Sequence, residues 1–244
     1  MCQFFSVVSK GDGIPIYCDD VVRKSGDISE PDSHTAIADY FGIKGLAQDR
    51  LNKYEYNPLT KKFTVDQLNT DDDSVRMEKF CKELNFKRIV PELIIKPIVH
   101  PFKDRNAKRV TKKDIALLVK WASVGDSVRY SVRDSMWGSV WDSVGVSVWD
   151  SMWDSMRDSM RDSEGYSVWD SEGAYEGSLY NLKRSEWKYT KEIKTKDYPF
   201  QSCVKLWEQG LVPSFDGSMW RLHSGKKAKV VFKISKKELM EKLK

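Results

Sequence analysis

The stretch WDSVGVSVWDSMWDSMRDSMRDS, residues 141–163, places a serine at every fourth position. The same spacing runs without a slip from Ser123 to Ser171, through thirteen serines. The position after the serine holds Val or Met in eleven of the thirteen units, the next holds Trp, Arg or Gly, and the fourth is mostly Asp. A fixed period of this kind is typical of repeat architectures, so the backbone that suits a repeat of four decides the fold here.

Three backbone conformations can be tested against this period. A single long strand would place Val and Asp on the same face and leave neither face apolar. In an α-helix the Val/Met row drifts by about 40° per unit, and only a strong right-handed supercoil would absorb that drift. Ser, Asp, Val, Trp and Gly are also poor helix formers. A chain that turns once per unit instead places Val/Met inside, Asp-Ser at the corner and Trp/Arg outside.

The repeat therefore predicts a short tetrapeptide β-solenoid, analogous to the coils of pentapeptide-repeat proteins, with a supercoiled helix as the alternative. The size of one coil stays open among 12, 16 and 20 residues. The first two sizes stack Trp on Trp and are favoured, because a narrow coil needs only one inward apolar side chain per unit. The third size aligns Gly125, Gly145 and Gly165, a spacing that a duplicated gene segment would also leave.

Charge divides the chain into three segments. Residues 1–122 carry a net charge of +3, residues 123–180 of −7 and residues 181–244 of +9. We expect an α+β protein with an N-terminal α+β domain over 1–122, the β-solenoid over 123–180 and a basic C-terminal cap of β-hairpin and helix over 181–244. The basic end suits a nucleic acid or another acidic partner, and it equally suits Lys-rich strands and a final helix that face solvent.

Capping residues and apolar spacing predict the elements outside the repeat. Each helix has a polar cap followed by apolar residues at i, i+3 and i+4 spacing, and each hairpin has two alternating runs about a turn. The predicted elements are a hairpin about Lys10–Gly13, a helix capped by Asp32 or Ser33 with Ile37 and Phe41 in the core, a hairpin about 57–60, a helix from Asp72 or Asp73, a helix capped by Thr111, a short helix ended by a Gly within 198–217, a hairpin about Ser224 and Gly225, and a final helix capped by Ser235.

Several classes of protein are disfavoured by what the sequence lacks. The four cysteines, Cys2, Cys18, Cys81 and Cys203, lie far apart without a CxxC pair, so we expect neither a zinc site nor a disulfide framework, and we expect a reducing cytoplasm. No apolar run approaches 18 residues, and the N-terminal segment lacks the pattern of a signal peptide. We therefore expect a cytoplasmic protein without membrane association, cofactor or metal.

Three features suggest chemistry and have simpler explanations. Cys2 would be an N-terminal nucleophile if Met1 is removed, as in class II glutamine amidotransferases, but those begin Cys-Gly-Ile, whereas this chain has Cys-Gln-Phe. His34 would suit a catalytic triad, although its place at a helix start points to capping. The run Asp71–Asp73 would suit a divalent cation, but a helix N-terminus favours acidic residues without any metal.

The strongest functional signal is the outer position of the repeat. If Trp and Arg face outward there, their columns form a patch large enough for a protein partner or for self-association, since Trp and Arg dominate binding hot spots. A flanking domain that covers the Trp residues is the competing explanation. The residues at this position are Trp137, Trp141, Trp149, Trp153, Trp169, Arg129, Arg133, Arg157 and Arg161.

Five segments together resemble those of uncharacterised tandem-tetrapeptide-repeat proteins of gut bacteria and their phages. They are SHTAIADYFG (33–42), LNKYEYNPLTKKFTVDQLNTDD (51–72), PELIIKPIVHPF (91–102), the S-V-W-D units and LWEQGLVPSFDGSMWRLHSGKKA (206–228). The resemblance covers nearly the whole chain. It implies a cytoplasmic, phage-borne protein and carries no activity and no catalytic residue.

These observations favour a non-enzymatic binding or scaffolding protein that uses the repeat surface. One alternative is a hydrolase or amidotransferase-like enzyme with Cys2 as nucleophile. Another is a protein of phage–host interaction that binds nucleic acid, or that imitates it through its regularly spaced Asp residues.

Overall fold

The computed structural model describes residues 5–91, 93–106, 109–124, 168–191 and 193–242. Within these residues the protein combines short helices with two antiparallel three-stranded sheets, which confirms the α+β class. The chain divides into two compact units, whose described parts are residues 5–97 without 92 and the described residues from 98 onward. Most of the repeat lies outside the described residues, and with it lie the predicted solenoid, its helical alternative and the size of its coil.

The first unit contains the sheet β1-β2-β3, built from β1 (Phe5–Ser9), β2 (Asn52–Asn57) and β3 (Lys62–Gln67). The predicted hairpin about 57–60 is confirmed as β2–β3. The side chain of Asn57 accepts hydrogen bonds from the backbone N–H groups of Leu59 and Thr60, and this Asx turn fixes the reversal. The predicted hairpin about Lys10–Gly13 is reduced to one bridge between Val8 and Ile16, and the main partner of β1 is β2.

The first unit also contains four α-helices, which are α1 (Asp20–Ser25), α2 (His34–Tyr40), α3 (Ser74–Glu83) and α4 (Phe86–Ile89). In the sequence, α1 and α2 lie between β1 and β2, and α3 and α4 follow β3. Ser33 caps α2, since its hydroxyl accepts a hydrogen bond from the N–H of Ala36, and Ile37 is buried as predicted. The prediction that Phe41 lies in the core is wrong, because its side chain is 46% exposed. Phe41 is the C-cap residue of α2, with its N–H bonded to the carbonyl of Ile37, and the chain turns at Gly42, whose φ is 74°, so Phe41 lies at the exposed end of the helix.

The second unit contains α5 (Lys112–Ala122), α6 (Trp169–Gly177), α7 (Gln201–Glu208) and the sheet β4-β5-β6 with a final helix α8 (Lys236–Glu241). The strands are β4 (Val212–Phe215), β5 (Met219–Ser224) and β6 (Lys229–Ser235). The predicted caps of α5 and α8 are confirmed as capping boxes, Thr111 with Asp114 and Ser235 with Glu238. The predicted hairpin about Ser224 and Gly225 is confirmed as β5–β6.

One apolar core joins α5, α6, α7 and this second sheet. It is assembled from residues of four helices, including Leu239 of α8, and of three strands, and α5 contributes Leu118, Val119 and Trp121. Its largest members are Leu118, Trp121, Phe200, Leu206, Phe215, Trp220, Leu222 and Ile234.

Helix α6 begins within the twelfth of the thirteen units of the serine repeat, so for residues 169–177 the structure shows a helix where the repeat predicts part of the solenoid segment. The reason is packing within the second unit. Tyr175 stacks on Trp207 of α7 with ring centroids 5.4 Å apart. The hydroxyl of Ser171 donates a hydrogen bond to the carbonyl oxygen of Pro213 in β4. The predicted coil therefore does not extend over these residues.

Candidate functional sites

Most of the candidate catalytic and binding residues lie outside the described residues. These include Cys2, all four arginines of the outer repeat position, and Trp137, Trp141, Trp149 and Trp153. Trp169 is the first residue of α6. The proposed Trp/Arg face and the proposed N-terminal nucleophile therefore stay predictions.

His34 lies at the first position of α2, but the cap itself is Ser33. The Nε2 atom of His34 lies 3.0 Å from the carbonyl oxygen of Tyr54 and must donate to it, because a carbonyl oxygen only accepts. Nδ1 lies 3.8 Å from a carboxylate oxygen of Asp66. No serine or cysteine among residues 5–91 hydrogen-bonds to this ring. The arrangement ties α2 to the sheet and does not bring a nucleophile to His34.

The acidic run at the start of α3 holds a hydrogen-bonded network around the carboxylate of Asp73. One carboxylate oxygen accepts from the hydroxyls of Ser9 and Tyr54 and from the side-chain amide of Asn52. The other accepts from the backbone N–H of Gly13, whose φ of 77° favours glycine. The network therefore joins β1, β2 and the loop after β1 through one side chain.

The charge of Asp73 is maintained by these donors. Burial by itself raises the pKa of a carboxyl, but the hydrogen bonds from Tyr54, Ser9, Asn52 and Gly13 outweigh it, so the pKa of Asp73 lies below its ordinary value. Among the described residues, no group of three potential metal ligands lies close enough together to hold an ion. Asp73 is thus a saturated structural acceptor.

Ser214 of β4 and His223 of β5 form a hydrogen-bonded pair that resembles part of a catalytic triad. Nδ1 of His223 lies 3.0 Å from the carbonyl oxygen of Ala228 and donates to it, which leaves Nε2 to accept from the hydroxyl of Ser214 at 2.8 Å. However, Ser214 is 1% exposed and His223 is 2% exposed. A nucleophile has to reach its substrate, so we interpret this pair as a buried polar link that holds the turn of the β5–β6 hairpin against β4.

Two glutamates one helical turn apart on α6 are buried in the second unit. Glu172 is 7% exposed and Glu176 is 4% exposed, and neither forms an ion pair or hydrogen bond with another described residue. Burial raises the pKa of Glu172 to about 7. Burial, together with repulsion from Glu172, raises the pKa of Glu176 to about 8. These carboxyls are therefore largely protonated at mildly acidic pH, where burial is least unfavourable.

The three described cysteines are buried and reduced. Burial raises the pKa of Cys18 to about 11 and that of Cys81 to about 12, and it raises the pKa of Cys203 further. Because the thiolate is the reactive form, these thiols are poor nucleophiles at neutral pH. They fill apolar space, as the sequence predicted.

Six exposed lysines of the second unit lie close together in sequence, on the β5–β6 hairpin and at the start of α8. We call the exposed lysines of the β5–β6 turn, of β6 and of the start of α8 the basic hairpin surface; its members are Lys226, Lys227, Lys229, Lys233, Lys236 and Lys237. Residues 216–242 contain eight basic and three acidic residues. One of those acids, Asp216, already forms an ion pair with Arg221, and another, Glu238, accepts from the backbone and hydroxyl of Ser235.

Sequence reasoning found the charge of this surface but missed the Asp73 network, the buried Glu172–Glu176 pair and the Ser214–His223 pair. The i, i+4 spacing of the two glutamates was the available signal for their pairing. In the part of the chain that the structure describes, every helix is too short or too polar to span a membrane.

Comparison with protein-family models, with curated proteins and with solved structures found no match to this chain. The resemblance to proteins of gut bacteria and phages therefore stays a prediction.

Proposed function

We propose that this is a non-enzymatic binding protein whose second unit binds a nucleic acid through the basic hairpin surface. The observation that carries the proposal is the concentration of six exposed lysines along one hairpin and the helix that follows it. Electrostatic attraction to phosphates supplies most of the affinity of non-specific nucleic-acid binding, and lysines are suited to this because they act as point charges.

The length and the open edge of this surface suit the binding of a linear polyanion. β6 has seven residues, so it is about 23 Å long, which corresponds to the rise of about seven nucleotides along one strand of a duplex. β6 pairs with β5 on one side only among the described strands, so its lysines follow an open edge of the sheet. Val230 and Val231 on the same strand are exposed and add apolar contact area beside the charges.

The direct test is fluorescence anisotropy of a labelled 20-nucleotide DNA, single-stranded and duplex, over a series of salt concentrations. Each phosphate neutralised by a lysine contributes about −0.9 to the slope of log K against log salt for duplex DNA. The variant K226Q/K227Q/K229Q should weaken binding and bring that slope nearer to zero by about 3. The control K62Q/K79Q/K87Q removes the same number of exposed charges from the first unit and should keep the slope.

Lysines at an open sheet edge also hinder edge-to-edge pairing between molecules. If that is their role, K226Q/K227Q/K229Q would form oligomers in size-exclusion chromatography while DNA affinity stayed that of the unaltered protein. An equal loss of affinity in the control variant would indicate attraction by net charge alone. Either outcome would refute the proposal.

The periodic Trp/Arg position favours a second binding function, in which the repeat is a β-solenoid that presents these side chains to a protein partner or to a second copy of the chain. Its support is the sequence pattern alone. Pull-down with a variant carrying Trp137, Trp149 and Trp153 as Ala tests it, and unchanged recovery of partners would contradict it.

The alternative of an enzyme with Cys2 as nucleophile is tested by measurement of the intact mass, because retention of Met1 eliminates it.

A further inference from the structure

The second unit contains a groove of about 710 Å³ between the C-terminal end of α5, the segment 193–199 and the N-terminal end of α7. We call it the lysine groove. Three lysines from these three separate elements line it: Lys120 in the last turn of α5, Lys194 in the segment and Lys205 on α7. Its volume is in the range of small-molecule sites. It does not include any lysine of the basic hairpin surface.

The charges of the groove are largely uncompensated within the described residues. No carboxylate of those residues lies within ion-pair distance of the amino groups of Lys120, Lys194 or Lys205, and Asp197 is the one acidic residue among the described lining residues. Like charges that line one concave surface repel one another, and an anion bound there reduces that repulsion. The groove therefore has the electrostatics of an anion site.

Neutral donors and an apolar wall complete the groove. Gln201 and Ser202 line it with side chains that make no hydrogen bond to another described residue. Gln201 and Ser202 are the first two residues of α7, and the N-cap of this helix, Phe200, supplies no side-chain acceptor. The N-terminal end of a helix carries a positive partial charge, so α7 adds positive potential at the same place. Leu117, Ile193 and Pro199 supply the apolar part of the lining.

From this combination we infer that the lysine groove binds a small organic phosphate, with the phosphate against Lys120, Lys194 and Lys205 and the apolar body of the ligand against Leu117 and Ile193. Three ammonium groups and two neutral donors match the several acceptor oxygens of a phosphate or diphosphate better than the two oxygens of a carboxylate. This site is independent of the nucleic-acid surface proposed above, since it uses different lysines on different elements.

Isothermal titration calorimetry of the full chain with pyrophosphate, AMP and ATP, each without divalent metal, tests the inference. We expect saturable binding that strengthens from AMP to ATP. Each of K120Q, K194Q and K205Q should weaken it by about tenfold, as expected for loss of one charge-assisted contact. The control K112Q/K113Q changes two exposed lysines in the first turn of the same helix, outside the groove, and should bind as the unaltered protein does.

A footprint provides a readout that needs no variant. Brief acetylation followed by mass spectrometry should show Lys120, Lys194 and Lys205 protected by pyrophosphate, while Lys112 and Lys113 are modified at an unchanged rate. Absence of heat and of protection at about 1 mM ligand would overturn the inference, because such affinity would be weaker than a built site provides. Equal loss of binding in K112Q/K113Q would overturn it as well. Retention of ATP binding by K226Q/K227Q/K229Q would separate this site from the nucleic-acid surface.

Discussion

The buried pair Glu172 and Glu176 makes the stability of the second unit depend on pH in a direction opposite to that of most carboxylates. The pKa of each group rises on folding, from 4.5 to about 7 for Glu172 and to about 8 for Glu176. A carboxyl whose pKa is raised in the folded state binds its proton more tightly there. Its contribution to stability is therefore complete below pH 4.5 and is lost as pH rises through 7 to 8.

The size of the effect follows from the shifts. One pKa unit corresponds to about 1.4 kcal/mol, so ionisation destabilises the fold by about 3 kcal/mol at Glu172 and by about 5 kcal/mol at Glu176 when each is taken alone. The second figure includes repulsion from the first carboxylate, so the two are not additive. Either value is a large fraction of the 5–15 kcal/mol that stabilises a typical domain.

Replacement of either glutamate by glutamine removes the ionisation and keeps the shape. E176Q should therefore unfold with nearly the same free energy as the unaltered protein at about pH 5, and with a free energy larger by several kcal/mol at about pH 9. E172Q should behave in the same way with a smaller gain. The matched control is E241Q, an exposed residue at the end of α8, which should change little at either pH.

The assay is urea unfolding of the three variants at both pH values, followed by far-UV circular dichroism and by tryptophan fluorescence. The slope m should stay constant between variants, so that the midpoint reports stability. If E176Q gained the same free energy at both pH values, the carboxylate would be neutral or well solvated throughout. If E176Q lost stability at high pH, the carboxylate would have a partner. Either result would refute the reasoning from burial.

Three further predictions concern buried polar groups. Substitution D73N should destabilise the first unit by about 2–3 kcal/mol, because the NH₂ group of the new amide would face hydrogen-bond donors. The loss should lower the urea midpoint, and it should shrink as the pH falls below about 4, where Asp73 itself becomes protonated. An unchanged midpoint would mean that the network is solvated. In the native protein, dithionitrobenzoate should react with at most one thiol, Cys2, and in C2S with none until urea is added; rapid reaction of a second thiol would contradict the burial of Cys18, Cys81 and Cys203. Ser214 should not be labelled by a fluorophosphonate, and S214A should cost about 1 kcal/mol in unfolding free energy; labelling would show that the Ser214–His223 pair is accessible.

Local signals predicted the helix caps and two of the three hairpins, whereas the hairpin about Lys10–Gly13 is reduced to one bridge. Ser33, Thr111 and Ser235 each accept a hydrogen bond from a backbone N–H in the first turn of the helix that follows them. The turn at Asn57 works through its own side chain. These features are decided within four or five residues, so the sequence contains the whole cause. The error at Phe41 concerned burial: the residue keeps i, i+4 spacing from Ile37, but no local signal decides whether the rest of the chain covers the last turn of a helix.

Long-range partnerships were not predictable in this way. The sequence indicated that Asp73 begins a helix, but its carboxylate binds Ser9 and Gly13, more than 55 residues earlier in the chain. Likewise, the regular serine spacing continues to Ser171, but packing of Tyr175 on Trp207 decides the conformation of residues 169–177. At the end of the repeat, tertiary contacts of this kind override the local sequence pattern.

The distribution of reactive groups bears on the kind of function that the described residues can perform. Cys18, Cys81 and Cys203 face inward with raised pKa values, and the hydroxyl of Ser214 donates to His223 in a buried contact. Covalent catalysis requires a nucleophile that is both activated and accessible, and each of these groups lacks accessibility. Exposed ammonium groups lie instead on the basic hairpin surface and in the lysine groove. An ammonium group recognises an anion without reacting with it, so both proposals concern recognition of phosphate.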